Sequence, residues 1–556
     1  MGHELYERHR DTLDRALTAI RDRGYWSPYP ENPKAYGEES ASKGREAFEA
    51  YLGRRFPIDQ PGAGGEVGDE RSPYGVDLGV TYPEADPDAL ISAALAALPA
   101  WRDVGPATRA GVCLEILSRL NERAPEVAQA VMHTTGQAYG MAFQAGGPHA
   151  QDRGLEAIAY AYDEMTRTPP EAVWEKSMGK RGTLRMAKKY AVVPRGVALV
   201  IGCNTFPTWN SYPGLFASLV TGNPVIVKPH PRAILPLAIT VAVAREALAN
   251  AGFSPDLVSL AAEAPGGTLA KTLATRPEVR IIDYTGSTAF GEWLEANARQ
   301  AQVHTEKAGV NTVVIDSTDD YQGMLGNLAF SLSLYSGQMC TTPQNLLVPR
   351  EGIVADGARV PVDQFARDLA GAIEGLLGNP ARAVALLGAI VNDGVLERIE
   401  RAGAGLLGEV VLPSRQVDHP EFPPALVRTP VIVQVAAADR EAYLSECFGP
   451  VSFLVTTDST AASIELLRTT VREHGAITAG VYSTSEEVLS AAEEAAIDAG
   501  VALSCNLTDG VYVNQSAAFS DFHATGANPA ANAALTDSAF VAARFRIVQS
   551  QRHLPD

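Results

Sequence analysis

Cysteine is scarce in this chain: five in 556 residues, at positions 113, 203, 340, 447 and 505, an odd number with no CxxC spacing. That excludes a disulfide framework and offers no zinc-ligand pattern, so no metal is expected and a reduced, cytoplasmic setting is. Positive charge is also short, with 46 Lys and Arg against 65 Asp and Glu and a formal net charge of −19. An extended nucleic-acid surface is thereby excluded, which leaves room only for local basic pockets that hold phosphate. Long apolar runs are missing. The best candidate, around Val192 to Ile201, is broken by Pro194, Arg195 and Gly196, so no membrane span is expected. The N-terminus, MGHELYERHRDTLDRAL, is polar and acidic rather than a signal peptide. Internal repeats and low-complexity segments are absent.

What is present reads as ordinary globular protein, 46% hydrophobic and 20% charged, long enough for two or three domains. Residues 3 to 22 carry Leu5, Leu13, Leu17 and Ile20 at helical spacing, and Gly24 is placed to end that helix. From Tyr25 to Tyr82, Pro, Gly and Tyr predominate, which predicts irregular structure wrapped on the main body. Asp86-Pro87 is a helix start, with Leu90, Ala94 and Leu98 on one face. A second helix should follow Pro106.

From Gly196 the pattern alternates. Strands are expected at 197–201, 225–227, 257–260 and 279–284, with helices over Trp209 to Val220 and Ile234 to Asn250. Continuous apolar strands separated by helices indicate a parallel sheet covered on both faces. A second run begins at 312–315 and continues through Val451 to Val455 and the segment VYVN (511–514). The stretch AFVAARFRIVQ (539–549) has β character and suits an edge strand for a second subunit.

Several segments carry chemistry. YTGSTAFG (284–291) follows a strand and opens a helix. Gly286 permits the tight turn, and Ser287 sits near free amides suited to a pyrophosphate. Alone, such a turn is usually just a turn; its place in a βαβ array gives it weight. Lys228 ends a strand where parallel sheets bind ligands, although a solvated lysine is the blander account. Cys340, in YSGQMC, is flanked by small and polar residues. An isolated cysteine is most often an inert buried thiol, and Glu306, in HTEKAGVNTVVI, would alone be a surface carboxylate. Together they suit aldehyde oxidation: the thiol takes the carbonyl as a covalent adduct, and the carboxylate activates the water that releases the acid. ECFGP (446–450) supplies a further carboxylate, an aromatic and a turn.

Taken in this order, the segments resemble the aldehyde dehydrogenase superfamily over roughly residues 85 to 530. The resemblance implies an α/β fold with two open, mostly parallel-sheet domains and a small β oligomerisation element. It makes Cys340 the nucleophile and Glu306 the general base. Glu446 would bind the nicotinamide ribose, Phe448 would lie near the nicotinamide, Gly286 and Ser287 would hold the pyrophosphate, and Lys228 would bind the adenine-side ribose. Three departures stand out. The family's Trp-Asn-Phe-Pro run is CNTFP (203–207) here, which leaves Asn204 or Thr205 as the oxyanion donor, with Asn204 favoured. The glutamate's neighbourhood is EKAG. An acidic residue three places after the lysine is replaced by Pro231, followed by Arg232, which favours a 2′-phosphate and hence NADP, with NAD as the alternative.

The N-terminal segment and the run from Gly196 to Asn223 resemble the phenylacetate-degradation branch. That implies a semialdehyde from aromatic-ring cleavage, plausible also as a coenzyme A-linked species. The rivals are an acylating, coenzyme A-dependent dehydrogenase, a thiol hydrolase acting on thioesters, and an inactive cofactor-binding scaffold. The expected organisation is an extension over 1–85, a cofactor-binding domain over 86–304 excluding about 176–193, and a catalytic domain over 305–528. Segments 176–193 and 529–556 form a bridging element that pairs subunits as a homodimer or a dimer of dimers.

Overall fold

The computed structural model describes residues 2–62, 64–307, 309–512 and 518–555. Two open sheets dominate. The first has five strands in the order Val258–Leu260, Val225–Lys228, Val197–Ile201, Val279–Thr285 and Gln302–Glu306, all parallel. The second has seven, in the order Glu409–Leu412, Val431–Ala436, Val451–Thr457, Asn345–Pro349, Thr312–Ile315, Thr478–Tyr482 and Ala502–Cys505. Only Glu409–Leu412 runs antiparallel to its neighbour. Strands such as Val197–Ile201 are buried along their whole length, because helices cover both faces of a parallel sheet. The α/β expectation therefore holds, and five of the expected strands begin and end within a residue of those observed.

The helices follow their local signals. Asp86 caps Pro87–Asp103, its carboxylate accepting from the amides of Asp88 and Ala89 at 2.9 and 3.2 Å. Pro207–Val220 is buried throughout. Other readings need correction. The first expected helix is two, Gly2–Arg8 and Arg10–Asp22, and it is Arg23 at φ 54°, not Gly24, that turns the chain left-handed. The region expected to be irregular contains the helix Ser40–Glu49, which buries Phe48 against His133. The β character read from residue 539 onward belongs only to Phe545–Leu554; Ser538–Ala542 is helical because Asp537 caps it. Of VYVN, residues 513 and 514 lie outside the described residues.

The N-terminal extension closes the edge of the first sheet. Gln60 both donates to the carbonyl and accepts from the amide of Leu260, at 2.8 and 2.9 Å, imitating a neighbouring strand. Glu70 accepts from the amides of Ile234 and Leu235, at 2.5 and 3.0 Å, and so caps Leu235–Asn250.

A third sheet has the order Phe545–Leu554, Thr183–Pro194, Glu171–Ser177. Its hairpin begins at Glu171 rather than near Lys176, and the C-terminal strand pairs with Thr183–Pro194 of the same chain. The approach to this strand is locked by Arg544. Its guanidinium is fully buried and pairs with Asp283 at 2.5 and 2.8 Å, while also donating to Ser218. An Arg544→Met protein leaves the Asp283 carboxylate buried beside no cation, and an expected loss of about 3–5 kcal/mol should appear as a lower denaturation midpoint. An unchanged midpoint would show that the pair contributes nothing.

Candidate functional site

The cysteine sits on a loop held from several sides. Tyr321–Ser333 leads into three consecutive left-handed residues, Tyr335, Ser336 and Gly337, at φ 51°, 49° and 63°. Left-handed backbone costs a non-glycine residue roughly 1–2 kcal/mol, so it persists only where the surroundings impose it. Here the Tyr335 hydroxyl donates to Thr135, and the Ser336 hydroxyl lies 3.0 Å from the carbonyls of Leu387 and Arg428. A Cβ at Gly337 would meet the Gly449 carbonyl at 2.4 Å, so only glycine fits. Beyond the turn, Asn311 gathers the site. Its amide nitrogen donates to the carbonyls of Cys340 and Thr342 at 2.7 and 3.0 Å, and its oxygen accepts from the amides of Ile477 and Thr478. This ties the cysteine loop to the second sheet.

Glu306 ends the edge strand of the first sheet and is 2% exposed. The carboxylate accepts from the Asn210 amide at 2.9 Å and lies 3.1 Å from His523 Nε2. That same Nε2 is 3.8 Å from Cys340 Sγ, and the sulfur, imidazole and carboxylate atoms all lie within 4.8 Å of one another. The fold thus brings together the thiol and carboxylate that the sequence singled out. Burial works to raise the Glu306 carboxyl, but the charge and hydrogen bond of His523, with further bonds from Cys340 and Thr285, outweigh it and hold the group below the usual carboxylate range. The Cys340 thiol moves the other way: burial pushes it well up, and the Glu306 charge adds to that.

Two chambers meet at this sulfur. One, of about 480 Å³, is lined by Lys228, Gly286, Ser287, Glu446, Phe448 and Asn204 together with Glu306 and Cys340. Six residues singled out for a cofactor or oxyanion thus share a cavity with the thiol and carboxylate. Ser287 precedes the helix Thr288–Asn297, and Gly286, Ser287 and Phe290 at this helix start line the chamber. Lys228 is 5% exposed and pairs with Glu263. Burial lifts the Glu446 carboxyl to about 7. Arg232 is exposed and lies outside the residues that line the chamber. Asn204 donates to the Thr134 carbonyl over a long 3.4 Å, and the Thr205 carbonyl accepts from Gln137 at 2.7 Å.

The other chamber, of about 520 Å³, is lined by Cys340 with Met141, Phe206, Trp209, Phe330, Leu334 and Tyr512. Glu31, from the N-terminal extension, lines it too, 3.2 Å from His149. That pairing is the largest influence on Glu31 and leaves its carboxyl below the usual range.

Sequence reasoning missed His523, Asn210, Asn311 and Glu263. Asn210 could be found by extending the CNTFP reading one helical turn. Nothing local marks His523, in a loop 217 residues from Glu306.

Parallel sheets meeting over a half-buried thiol, beside a chamber with a helix N-terminus and a strand-end lysine, fit the class of nucleotide-dependent oxidoreductases. The family model described as "Aldehyde dehydrogenase family" matches residues 79–532, and the chain belongs to that family as an NAD(P)-dependent aldehyde dehydrogenase. It is 25% identical over 438 residues to the benzaldehyde dehydrogenase [NAD(+)] of Pseudomonas putida, covering 75% of this chain and 81% of that protein. It is 25% identical over 389 residues to the vanillin dehydrogenase of Pseudomonas fluorescens, covering 68% and 74%. The crystal structure of an NAD-dependent aldehyde dehydrogenase from Burkholderia multivorans superimposes with a TM-score of 0.98 at 59% identity, over the whole of both chains. A 1-pyrroline-5-carboxylate dehydrogenase from Thermus with bound NAD shares the fold, with a TM-score of 0.73 at 19% identity, covering 96% and 99%.

Proposed function

We propose that this enzyme oxidises a free, largely apolar aldehyde, aromatic or derived from an aromatic ring, to its carboxylic acid with NAD. The observation that carries this reading is the meeting of two chambers at Cys340, which lines both. In the chamber lined by Lys228, Ser287 and Glu446, the helix start at Ser287 suits a pyrophosphate, Lys228 a ribose, and Glu446 and Phe448 the nicotinamide end. A bound nicotinamide would accept the hydride.

The chain's own residues do the rest. Cys340 Sγ bonds to the carbonyl carbon, and its own amide with the Asn204 side chain receives the oxyanion. The long Asn204–Thr134 bond is weak enough to exchange for that partner. Once hydride has left, the acyl group remains on sulfur as a thioester. Glu306 then takes a proton from water, the water oxygen bonds to the acyl carbon, and the carbon–sulfur bond breaks. Glu306 is what an acylating, coenzyme A-dependent enzyme would not need.

The substrate class follows from the second chamber. Its described lining contains no Lys or Arg, so a coenzyme A phosphate would find no cation there, whereas a ring would meet Phe206, Trp209 and Phe330. The aromatic aldehydes named for the Pseudomonas relatives are of this kind. The third sheet, which exposes Val173, Trp174, Ile547 and Val548, is the surface we assign to a second copy in a homodimer or dimer of dimers. Five free cysteines suit a reducing compartment.

For the cofactor, Arg232 favoured NADP in the sequence. Glu263 supports NAD, because its carboxylate, held by Lys228 and the Leu269 amide, would repel a 2′-phosphate on a ribose bound at Lys228. Absorbance assays with benzaldehyde should give a kcat/KM for NAD at least about tenfold above that for NADP, and Glu263→Gln should narrow the gap. NADP preference in the unaltered enzyme would overturn the assignment, and no reduction of either cofactor with any aldehyde would overturn the function.

A further inference from the structure

A nucleophilic cysteine must be a thiolate, yet burial and the acidic groups around Cys340 oppose ionisation. The thiol is buried beside Glu306, with Glu446 and Cys203 also acting on it, and each of these influences raises its pKa. The one basic group against the sulfur among the described residues is the His523 imidazole, Nε2 at 3.8 Å.

His523 is held there by an elaborate support. The imidazole is 3% exposed and stands edge-on to Trp209, ring centres 4.6 Å apart. Its other nitrogen, Nδ1, is 3.9 Å from the Asp521 carboxylate. Asp521 pairs with Arg153, a guanidinium fully buried in the helix Pro148–Thr166 that also lies over the Trp209 ring at 4.8 Å. Glu156, one turn further along that helix, pairs with Arg153 at 2.9 Å and accepts from the Phe519 amide at 2.6 Å. Arg23 donates to the Asp521 carbonyl at 3.2 Å. Buried charges of this kind are costly, and this set fixes the loop over residues 519–523, which presents one imidazole to one thiol.

We propose that His523 is a catalytic residue whose Nε2 takes the thiol proton of Cys340, so that the nucleophile rests as a thiolate–imidazolium pair braced by Glu306 and Asp521. The inference rests on Cys340 being the nucleophile. The step balances: the S–H bond breaks, Nε2–H forms, and no net charge enters the site. An imidazolium would place its Nε2–H between the sulfur and Glu306 Oε1, with Nδ1 facing the Asp521 carboxylate at 3.9 Å, an ion-pair distance. The same cation stabilises sulfur again when the thioester is cleaved and the thiolate departs. Glu306 is thereby left ionised to act on water, and the two jobs that a single carboxylate could not do at once fall to two residues.

The test needs no substrate. Iodoacetamide alkylation of the full-length enzyme, followed across pH and referred to Cys340→Ser as the blank, reads the thiolate directly. The unaltered enzyme should alkylate at Cys340 well below the ordinary thiol pKa of about 8.5, and His523→Gln should lose roughly tenfold or more of that rate at neutral pH and regain it as pH rises. Glutamine keeps a hydrogen bond to Glu306 but accepts no proton, so a purely structural role would leave the pH profile in place. A His523→Gln profile matching the unaltered enzyme overturns the proposal. Should that variant fail to fold, the ultraviolet thiolate absorbance of the unaltered enzyme minus Cys340→Ser decides: present at neutral pH as expected, or absent and the proposal falls. An altered alkylation profile in an enzyme that oxidises no aldehyde would retire the proposed function and leave the ion pair standing.

Discussion

Cys340→Ala protein is expected to reduce no cofactor, neither in a first burst nor in steady turnover. In the proposed mechanism each later step needs the bond between sulfur and carbonyl carbon, because hydride leaves from that adduct and the thioester carries the acyl group forward. Alanine removes the sulfur without disturbing the loop, since the Asn311 bond goes to the Cys340 carbonyl rather than to its side chain. Cofactor binding should therefore persist, as the chamber keeps Lys228, Ser287 and Glu446. A rapid-mixing measurement of reduced cofactor, beside a binding titration by fluorescence, checks both halves. The expected fall in turnover is about 10⁴-fold or more, the size seen when a nucleophile is removed from an assembled site. A burst surviving in this variant would remove Cys340 from the chemistry altogether.

Glu306→Gln should fail differently. The amide keeps the shape and can still bond Asn210 and His523, but it accepts no proton from water. Acylation then proceeds, one equivalent of reduced cofactor appears, and turnover stalls at the thioester, slowed by roughly 10²–10⁴-fold. Mass spectrometry of the stalled protein should show acyl-Cys340. Equal loss of burst and turnover would mean that Glu306 acts before hydride transfer, through the thiol. The electrostatics set a pH expectation as well. The Glu306 carboxyl is held below the usual range, so it stays ionised through neutral pH, and deacylation should fall only as pH drops through that lowered value.

The two predictions depend on residues of very different legibility. Cys340 and Glu306 could be named because their segments, ambiguous alone, follow one another in the order and spacing that resemble a known family. The strands at 197–201, 279–285 and 312–315 were equally readable, since continuous apolar runs between helices have few other folds available. Local signals failed where tertiary contacts compete with them. Ser40–Glu49 becomes a helix amid Pro- and Gly-rich sequence because Phe48 finds His133 to pack on. The residues after Ala539 looked like strand throughout, but the Asp537 cap turns the first of them into a helix. Arg232, four residues past the strand end at Lys228, looked like a phosphate ligand by position alone; its exposed side chain and the carboxylate of Glu263 were both invisible in one dimension.

By itself, then, the sequence determined the α/β layering, the strand order's raw material, and the identities of one thiol and one carboxylate, since hydrophobic period and turn chemistry act over a few residues. Only the tertiary structure decided what surrounds them. His523 reaches Cys340 across 183 positions and Glu306 across 217, and Glu263 reaches Lys228 from the next strand's loop. Electrostatic and packing forces act through space, with no memory of chain distance, so the groups that set charge at the sulfur become known only once the chain has closed around it.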